Sequence, residues 1–187
     1  ANIGAEAAGR DAAEMKRTHR EAWRDNKLHV HDAPRWIDPL SDADQPGGPI
    51  PLMLLKGLPL ALHDYPDPGR RPMSDVDVLV PSLRFRDAAE RLEAAGWVGA
   101  DDEPIPRSMR YRHAAALVHP DGGHIDLHHA PGTPFMGHRQ GGRAVPEMWA
   151  ASRPSELADR PVRLPAPDDL LLTIVVHALT SVQDWLS

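Results

Sequence analysis

The spacing of apolar residues predicts a long, charged helix near the start of the chain. Alanine, methionine and tryptophan recur at helical intervals over residues 5–27, among many acidic and basic side chains. Residues 32–51 contain five prolines, two glycines and four aspartates, a composition typical of a loop. We therefore expect residues 1–50 to form one helix followed by a proline-rich tether.

From residue 51 onward, short apolar runs alternate with turn signals. Residues 52–55 form an apolar run that predicts a buried strand. Residues 58–65 predict a helix with Pro59 in its first turn, where the missing N–H of proline has little effect. Residues 74–80 alternate with period two, which predicts a second strand.

A helix and a hairpin are predicted next. Ser82 is placed to cap the start of the helix, and Gly96 stands where a left-handed residue ends many helices. Residues 114–118 and 124–127 predict two strands joined by a turn at residues 120–123. In that turn proline fixes φ and the glycines accept a positive φ. Residues 51–130 are therefore expected to form the core of the protein.

The last segment, residues 131–187, is expected to be a loop and a helix that packs on the core. Residues 130–147 are rich in glycine and proline, which favours a long loop. The last helix is expected to begin with Asp168 as its N-cap. Its apolar residues recur at helical spacing and predict a buried stripe formed by Leu171, Ile174, Val175, Ala178, Val182 and Trp185.

Composition and charge narrow the class of protein. A length of 187 residues predicts one domain. The net charge of −6 gives no strong signal for nucleic-acid binding, and the absence of cysteine excludes disulfides and thiolate chemistry. The longest apolar run, residues 170–176, is too short to cross a membrane, and the N-terminus carries no apolar stretch typical of a signal peptide. We therefore expect a cytoplasmic protein.

The chemistry-bearing residues lie on the two predicted strands. Strand alternation places Asp75 and Asp77 on one face, about 7 Å apart, with valines on the other. On the hairpin strand, His124, Asp126 and His128 share a face in the same way. If the two strands are neighbours, three carboxylates converge on one patch, where they repel each other unless a cation binds. Oxygen ligands favour Mg²⁺, which commonly acts in pairs with substrate phosphates.

Two basic residues are candidates for contacting those phosphates. Lys56 and Gly57 lie at a junction between a predicted strand and a predicted helix. The glycine lets a phosphate approach the backbone, the start of the helix offers free N–H groups, and the lysine adds a positive charge. Arg71, shortly before the acidic strand, is a further candidate phosphate contact.

Three segments of this sequence closely resemble a family of uncharacterised nucleotidyltransferases in the polymerase-β-like superfamily. The segments are Leu54-Leu55-Lys56-Gly57, Arg71-Pro72-Met73-Ser74-Asp75-Val76-Asp77-Val78-Leu79-Val80 and Ile125-Asp126-Leu127-His128. The resemblance spans about residues 51–130, with a weaker similarity over residues 164–178. Where the superfamily usually has Gly-Ser or Gly-Gly after the first strand, this chain has Lys56-Gly57-Leu58, so a serine contact to phosphate is missing.

The resemblance implies an α/β (α+β) fold of the minimal nucleotidyltransferase type, a small mixed sheet flanked by helices with additional helices at both ends. It implies that Asp75 and Asp77 bind two Mg²⁺ ions, which Mn²⁺ could replace. Asp126 would bind the catalytic metal and help to deprotonate the acceptor. We expect the NTP to be contacted by Lys56, Gly57, Arg71, Ser74 and His128. The histidine could instead support the site from behind.

The leading hypothesis is a metal-dependent transfer of a nucleoside monophosphate from an NTP to a hydroxyl or phosphate on a small molecule, peptide or protein. Two alternatives remain open. Asp75 and Asp77 could hold a nucleotide-sugar, as in DxD-type glycosyltransferases, although that mechanism has no evident use for Asp126 or for Lys56 and Gly57. The other alternative is a non-catalytic module of the same fold that binds a nucleotide or a partner.

Overall fold

The computed structural model describes residues 3–100, 104–105, 112–132 and 145–186. This part of the chain forms one mixed sheet with helices on both of its faces. In chain order the helices and strands are α1 (Ile3–Ser41), β1 (Met53–Leu54), α2 (Gly57–His63), β2 (Val76–Leu79), α3 (Phe85–Ala94), β3 (Val98–Gly99), β4 (Ala114–Val118), β5 (His124–His128), α4 (Val145–Ala151), β6 (Arg153–Leu157), β7 (Arg160–Leu164) and α5 (Pro167–Leu186). Short 3₁₀ turns at Pro68–Arg70 and Ser82–Arg84 precede β2 and α3.

The sheet has seven strands in the order β3-β4-β5-β2-β1-β7-β6. β2 runs parallel to β5, and β1 runs parallel to β7, whereas every other neighbouring pair is antiparallel. The predicted fold class, a mixed α/β architecture consistent with a nucleotidyltransferase, is confirmed. β2 lies at the centre, with β1 on one side and β5 on the other, so side chains from all three strands can meet.

The two faces of the sheet bury different kinds of residue. The valines of β2 and the isoleucine and leucine of β5 belong to the large core, together with residues of α1 and α3. The opposite face carries a smaller apolar cluster of Met53, Leu55, Leu79 and Met148. The period-two alternation of β2 therefore buries its valines against α1 and α3 and turns Asp77 to the other face.

The N-terminal helix is longer than the sequence suggests. The prediction of a tether from residue 32 is wrong for residues 32–41, because α1 continues to Ser41 with Pro34 and Pro39 inside it. The last turns of α1 place Trp36, Ile37 and Leu40 in the core. Burial of these side chains outweighs the backbone hydrogen bonds that the prolines cannot make.

The C-terminal segment also differs from expectation. The predicted loop ends at Val145, where α4 begins, and residues 133–144 of it lie outside the described residues. The hairpin β6–β7, which adds two strands to the sheet, was not predicted. Its strands have no clear period-two alternation of apolar residues.

The predicted buried stripe of α5 is wrong. Leu171 and Val175 are 63% and 45% exposed, whereas Asp169 and Thr173 are buried. The Thr173 hydroxyl donates to the carbonyl of Asp169 at 2.7 Å, which satisfies its hydrogen-bonding group away from water. The apolar periodicity identified a helix correctly but not the face that meets the protein. The side chains of Val182 and Trp185 lie outside the described part of the helix.

Details of the turns test the cap predictions. Gly96 has φ +94° and Gly122 has φ +87°, as expected for the residue after α3 and for the β4–β5 turn. Ser82 begins a 3₁₀ turn and donates to the His129 carbonyl, so it is not the predicted cap of α3. Asp168 is not the cap of α5, since Pro167 is already helical.

Within the described residues, none of the helices combines the length and apolar character that crossing a membrane requires.

Candidate active site

The centre of the sheet brings two of the predicted acids side by side. β2 and β5 are parallel neighbours, and their register pairs Asp77 with Asp126. The condition under which the acids converge, that their strands are neighbours, is therefore met. One ligand atom each from Asp77, Asp126 and His128 lies within 4.8 Å of the others. These are two carboxylates and an imidazole, donors that divalent cations bind.

Asp77 is buried and is held by two partners. The Lys56 ammonium donates to Asp77 Oδ1 across the β1–β2 pair, and Oδ1 lies 2.9 Å from His128 Nε2. Burial alone would raise the pKa of Asp77, but the hydrogen bonds and charges of His128 and Lys56 hold it below its usual value. Asp77 is therefore kept ionised although it is only 3% exposed.

His128 is oriented from behind by the backbone. Its side chain is fully buried, and Nδ1 lies 3.1 Å from the carbonyl oxygen of Ala130. Because a carbonyl can only accept, Nδ1 carries the proton of that bond, and Nε2 faces Asp77. A ring nitrogen anchored on a carbonyl is the usual way in which a metal-binding histidine is oriented. The described partners of His128 thus suit it for holding Asp77 or a cation, and its predicted contact with a nucleotide stays a prediction.

Asp75 lies near this group without being part of the 4.8 Å cluster. Burial, followed by the negative charges of Asp77 and Asp126, raises the pKa of Asp75 to about 6. Lys56 and His128 lower that pKa only in part. Three mutually repelling carboxylates are a local excess of negative charge that a bound cation would relieve.

Lys56 reaches Asp77 from a strained backbone. It has φ 51° and ψ −108°, a combination that favours glycine, and it immediately precedes α2. The strain is offset by an ammonium group that is buried against Asp77, with the Leu55 N–H also donating to the Asp77 carbonyl.

Gly57 and Arg71 lie close to each other beside Lys56. A Cβ atom added to Gly57 would lie 3.2 Å from the Cβ of Met73 and 3.9 Å from the Arg71 Nη2. The Arg71 guanidinium donates to the carbonyl of Pro72. The predicted phosphate contacts Lys56, Gly57 and Arg71 thus occupy one side of the acids.

Two histidines near the acids were given no role by the sequence. The ring of His113 lies 5.6 Å from that of His128. Partial burial, then the positive charges of His128 and Lys56, lowers the pKa of His113 to about 4. Partial burial and then the positive charge of Lys56 lower the pKa of His177 on α5, while the charges of Asp77 and Asp126 act in the opposite direction. No local motif marks either histidine, because the folding of β4 and α5 onto the site brings them there.

A cavity of about 770 Å³ adjoins the acids. Its wall includes Asp75 and Asp126, together with Ser74, whose carbonyl accepts from His29 Nε2 at 3.2 Å. The rest of the wall comes from α1, from Pro72 and Met73, from Ala100, and from β4, the β4–β5 turn and the start of β5. Ser74 therefore lies at the cavity.

Comparison with known proteins gives a family and a remote structural neighbour. The profile of a family described as uncharacterised nucleotidyltransferase matches residues 10–186. The crystal structure of a lincosamide antibiotic adenylyltransferase, bound to lincomycin, is similar to this chain with a TM-score of 0.41 and 16% identity. The similarity covers 65% of this chain and 72% of that chain. No curated protein matches.

Proposed function

This chain belongs to the family of uncharacterised nucleotidyltransferases, and we propose that it transfers a nucleoside monophosphate from an NTP to an acceptor with the help of divalent cations. The observation that supports the proposal most strongly is the pairing of Asp77 with Asp126 in adjacent parallel strands, with Asp75 coupled to both. The expected acceptor is a hydroxyl or phosphate on a small molecule, peptide or protein. The expected cofactor is a pair of Mg²⁺ ions, which Mn²⁺ could replace.

The residues at the site suit a hard divalent cation. Asp77 and Asp126 supply carboxylate oxygens within reach of one another, and burial, followed by the negative charges of these two acids, raises the pKa of the neighbouring Asp75. Bound cations would neutralise the phosphates and make a hydroxyl a better nucleophile. Asp75, Asp77 and Asp126 are the residues that we expect to hold them, with His128 fixing the position of Asp77.

Lys56 and Arg71 are suited to hold the leaving phosphates. The Lys56 ammonium is a positive charge beside the acids, and the Arg71 guanidinium lies on the same side, near Gly57. Without a nucleotide, Lys56 is paired with Asp77. A triphosphate would offer it further oxygens at the same place. Phosphoryl-type transfer depends mainly on such positioning and charge neutralisation.

Asp126 is the residue that we expect to accept the proton of the acceptor. The acceptor oxygen would form a bond to the α-phosphorus, the bond from that phosphorus to pyrophosphate would break, and the hydroxyl proton would pass to Asp126. Asp126 is partly exposed and lines the cavity, whereas Asp77 is buried under Lys56 and His128. The two acids are thus placed for different tasks.

The experiment that tests this proposal separates binding from transfer. Pyrophosphate release with each NTP, Mg²⁺ and a panel of acceptors identifies the reaction, and calorimetry gives nucleotide affinity. Asp126→Asn should leave Mg-NTP affinity within a few-fold of the parent and reduce transfer by roughly 10²–10⁴-fold, the loss expected for a positioned base. Asp77→Asn should impair both, and Asp44→Asn, at an exposed turn between α1 and β1, should change neither.

The outcomes also decide between the proposal and its alternatives. Transfer by Asp126→Asn at nearly the parental rate would contradict the carboxylate mechanism and favour a nucleotide-sugar as the donor. Binding of NTP by every variant, with no turnover by the parent, would favour a non-catalytic nucleotide-binding module.

A further inference from the structure

The cavity beside the acids has a wall built from several elements. It measures about 770 Å³, and its wall is formed by α1, the segment leading into β2, the end of β4 and the start of β5. Ala116 of β4 pairs with Asp126 of β5 in an antiparallel register, so the two side chains share one face of the sheet. Ala116, Asp126 and Asp75 all line the cavity.

The order of the strands places Lys56 and the β4–β5 wall of this cavity on different sides of β2. β2 carries Asp77 at the centre, Lys56 follows β1 on one side, and the cavity lies against β5 and β4 on the other. An in-line displacement requires the attacking oxygen and the leaving pyrophosphate to lie on opposite sides of the phosphorus. If the phosphates lie by Lys56 and Arg71, the acceptor oxygen must approach from the side of the cavity.

The charge of the cavity wall restricts what can occupy it. Three of its lining residues are aspartates, Asp25, Asp75 and Asp126, and none of the described lining residues is a lysine or arginine. Most of the other lining surface is apolar, from α1 and β4 alanines and from Met73 and Val118. Such a cavity repels phosphates and attracts cations, and it accommodates a body with little polarity.

We propose that this cavity binds the acceptor, and that Asp25 of α1 selects an acceptor whose hydroxyl is carried on a partly apolar body bearing an amine. The inference rests on the proposed function and narrows it, because it excludes phosphorylated acceptors and nucleic acid. Asp75 and Asp126 would hold the cations, which leaves Asp25 as the remaining acidic residue of the cavity wall. His29 extends the same wall, one turn further along α1.

The charge preference can be measured without knowing the acceptor. The chain contains no cysteine, so Ala116→Cys introduces a single thiol into the cavity. Its rate of modification is compared for two methanethiosulfonate reagents, one with a trimethylammonium group and one with a sulfonate. The ratio of the two rates is divided by the ratio for Leu83→Cys, a position that is 98% exposed and outside the cavity.

The cationic reagent should be favoured at position 116 relative to position 83. Adding Asp25→Asn should lower this preference roughly two- to five-fold, the scale of one solvent-exposed charge pair. Glu14→Gln removes the same charge about 16 Å from Asp25 toward the start of α1, which is beyond a Debye length. It should leave the preference for the cationic reagent unchanged. Equal preference at positions 116 and 83, or no effect of Asp25→Asn, would overturn the proposed selection.

A second measurement distinguishes an acceptor cavity from a nucleotide cavity. The Ala116→Cys variant, once its thiol carries the trimethylammonium label, should still bind Mg-ATP with parental affinity, while transfer should fall at least tenfold. Loss of Mg-ATP binding on labelling would show that the nucleotide occupies the cavity and would overturn the proposal. Failure of the unlabelled parent to bind Mg-ATP would instead count against the proposed function, whatever the thiol rates show.

The substrate class is tested with matched hydroxyl compounds. Each probe is offered as a free amine, as its N-acetyl derivative and as its phosphate ester, with Mg-ATP and pyrophosphate release as the readout. Amines should be used best, and Asp25→Asn should raise their KM while leaving kcat and the KM for ATP unchanged. Preferential use of the phosphate esters would contradict the proposal. If none of the probes is a substrate, the charge preference measured at the position-116 thiol decides whether the cavity favours cations.

Discussion

At the scale of single residues, the site depends on one buried carboxylate and the groups that keep it charged. Asp77 accepts from Lys56 and lies within hydrogen-bond distance of His128, and His128 is in turn fixed by the Ala130 carbonyl. These contacts link β1, β2 and β5 across the centre of the sheet. Lys56 contributes to this network although its backbone conformation is strained. The contact of its ammonium with Asp77 therefore offsets the free-energy cost of that strain.

Two substitutions at Lys56 separate the charge from the strain. Both Lys56→Ala and Lys56→Gly remove the ammonium, so triphosphate affinity should fall roughly 10- to 150-fold in each, the effect of losing a charge-assisted contact. Glycine accepts φ 51° without strain. Lys56→Gly should therefore unfold with a free energy about 1–3 kcal/mol higher than Lys56→Ala. Denaturant unfolding and calorimetry check the two effects, and unchanged nucleotide affinity would remove Lys56 from the site.

Asp75 should destabilise the metal-free protein at neutral pH. Its pKa is about 6 in the folded chain, against an ordinary 3.8, so the unfolded chain holds fewer protons between those values. Ionisation of Asp75 therefore lowers the free energy of unfolding as the pH rises from about 4 to 6. Asp75→Asn should raise the Tm at pH 7.5 without metal and have a smaller effect at pH 4.5.

The control for that prediction is a divalent cation. Mg²⁺ should stabilise the parent at pH 7.5, where its carboxylates are ionised, and should stabilise Asp75→Asn less. An equal change in Tm at both pH values, or a lower Tm at pH 7.5, would show that repulsion at Asp75 is not significant.

At the scale of the helices and strands, α1 positions the segment that leads into β2. Trp23 Nε1 donates to Asp67 Oδ2 at 2.8 Å, and Asn26 Nδ2 donates to the carbonyl of Gly69 at 3.0 Å. The Met73 N–H donates back to Asn26 Oδ1 at 3.2 Å. This contact holds the loop before the acidic strand against the helix, so the N-terminal helix is part of the support of the site.

Asn26→Ala should therefore destabilise the protein and disturb the site. The substitution leaves the buried Gly69 carbonyl and the Met73 N–H without Asn26 as a partner, and each such group costs about 1–3 kcal/mol. We expect a loss of at least about 2 kcal/mol in the free energy of unfolding, with weaker Mg-NTP binding. Arg24→Ala, exposed on the same helix, should stay within about 0.5 kcal/mol of the parent. Equal stability of the two variants would contradict the role of Asn26.

The same elements show what the sequence could predict and what it could not. The period-two pattern of residues 74–80 and 124–127 was enough to predict β2 and β5 and to place the acids on one face, because strand alternation is a local property. The end of α1 could not be predicted, since burial of Trp36, Ile37 and Leu40 against the sheet outweighs two prolines. For α5, the helical period identified the element, but only packing decided that Thr173 rather than Leu171 is buried.

The candidate site divides in the same way. The sequence predicts that Asp77 and Asp126 meet if their strands are neighbours, and the structure pairs these two residues. Both belong to segments that the sequence singles out. His113, which immediately precedes β4, and His177 of α5 reach the site from parts of the chain that are remote in sequence. The cavity, and the place of Asp25 in its wall, depend on how α1 packs beside β4 and β5. No local sequence pattern predicts that packing.

At the scale of the whole molecule, the sheet separates stability from chemistry. One face is covered by α1 and α3 and carries the large apolar core, while the other turns Asp77, Asp126 and His128 toward the site. Lys56 and the β4–β5 wall of the cavity then lie on different sides of β2. This arrangement suits a reaction with a phosphate-bearing donor on one side and an acceptor on the other.

The central claim is that the carboxylates act through a bound cation on a triphosphate, and one titration tests it most directly. A non-hydrolysable ATP analogue is titrated into the protein by calorimetry, once with Mg²⁺ and once with excess EDTA. Because three carboxylates lie where the phosphates would approach, the account predicts binding with Mg²⁺ and at least a tenfold weaker affinity with EDTA. Equal affinity under the two conditions would contradict it.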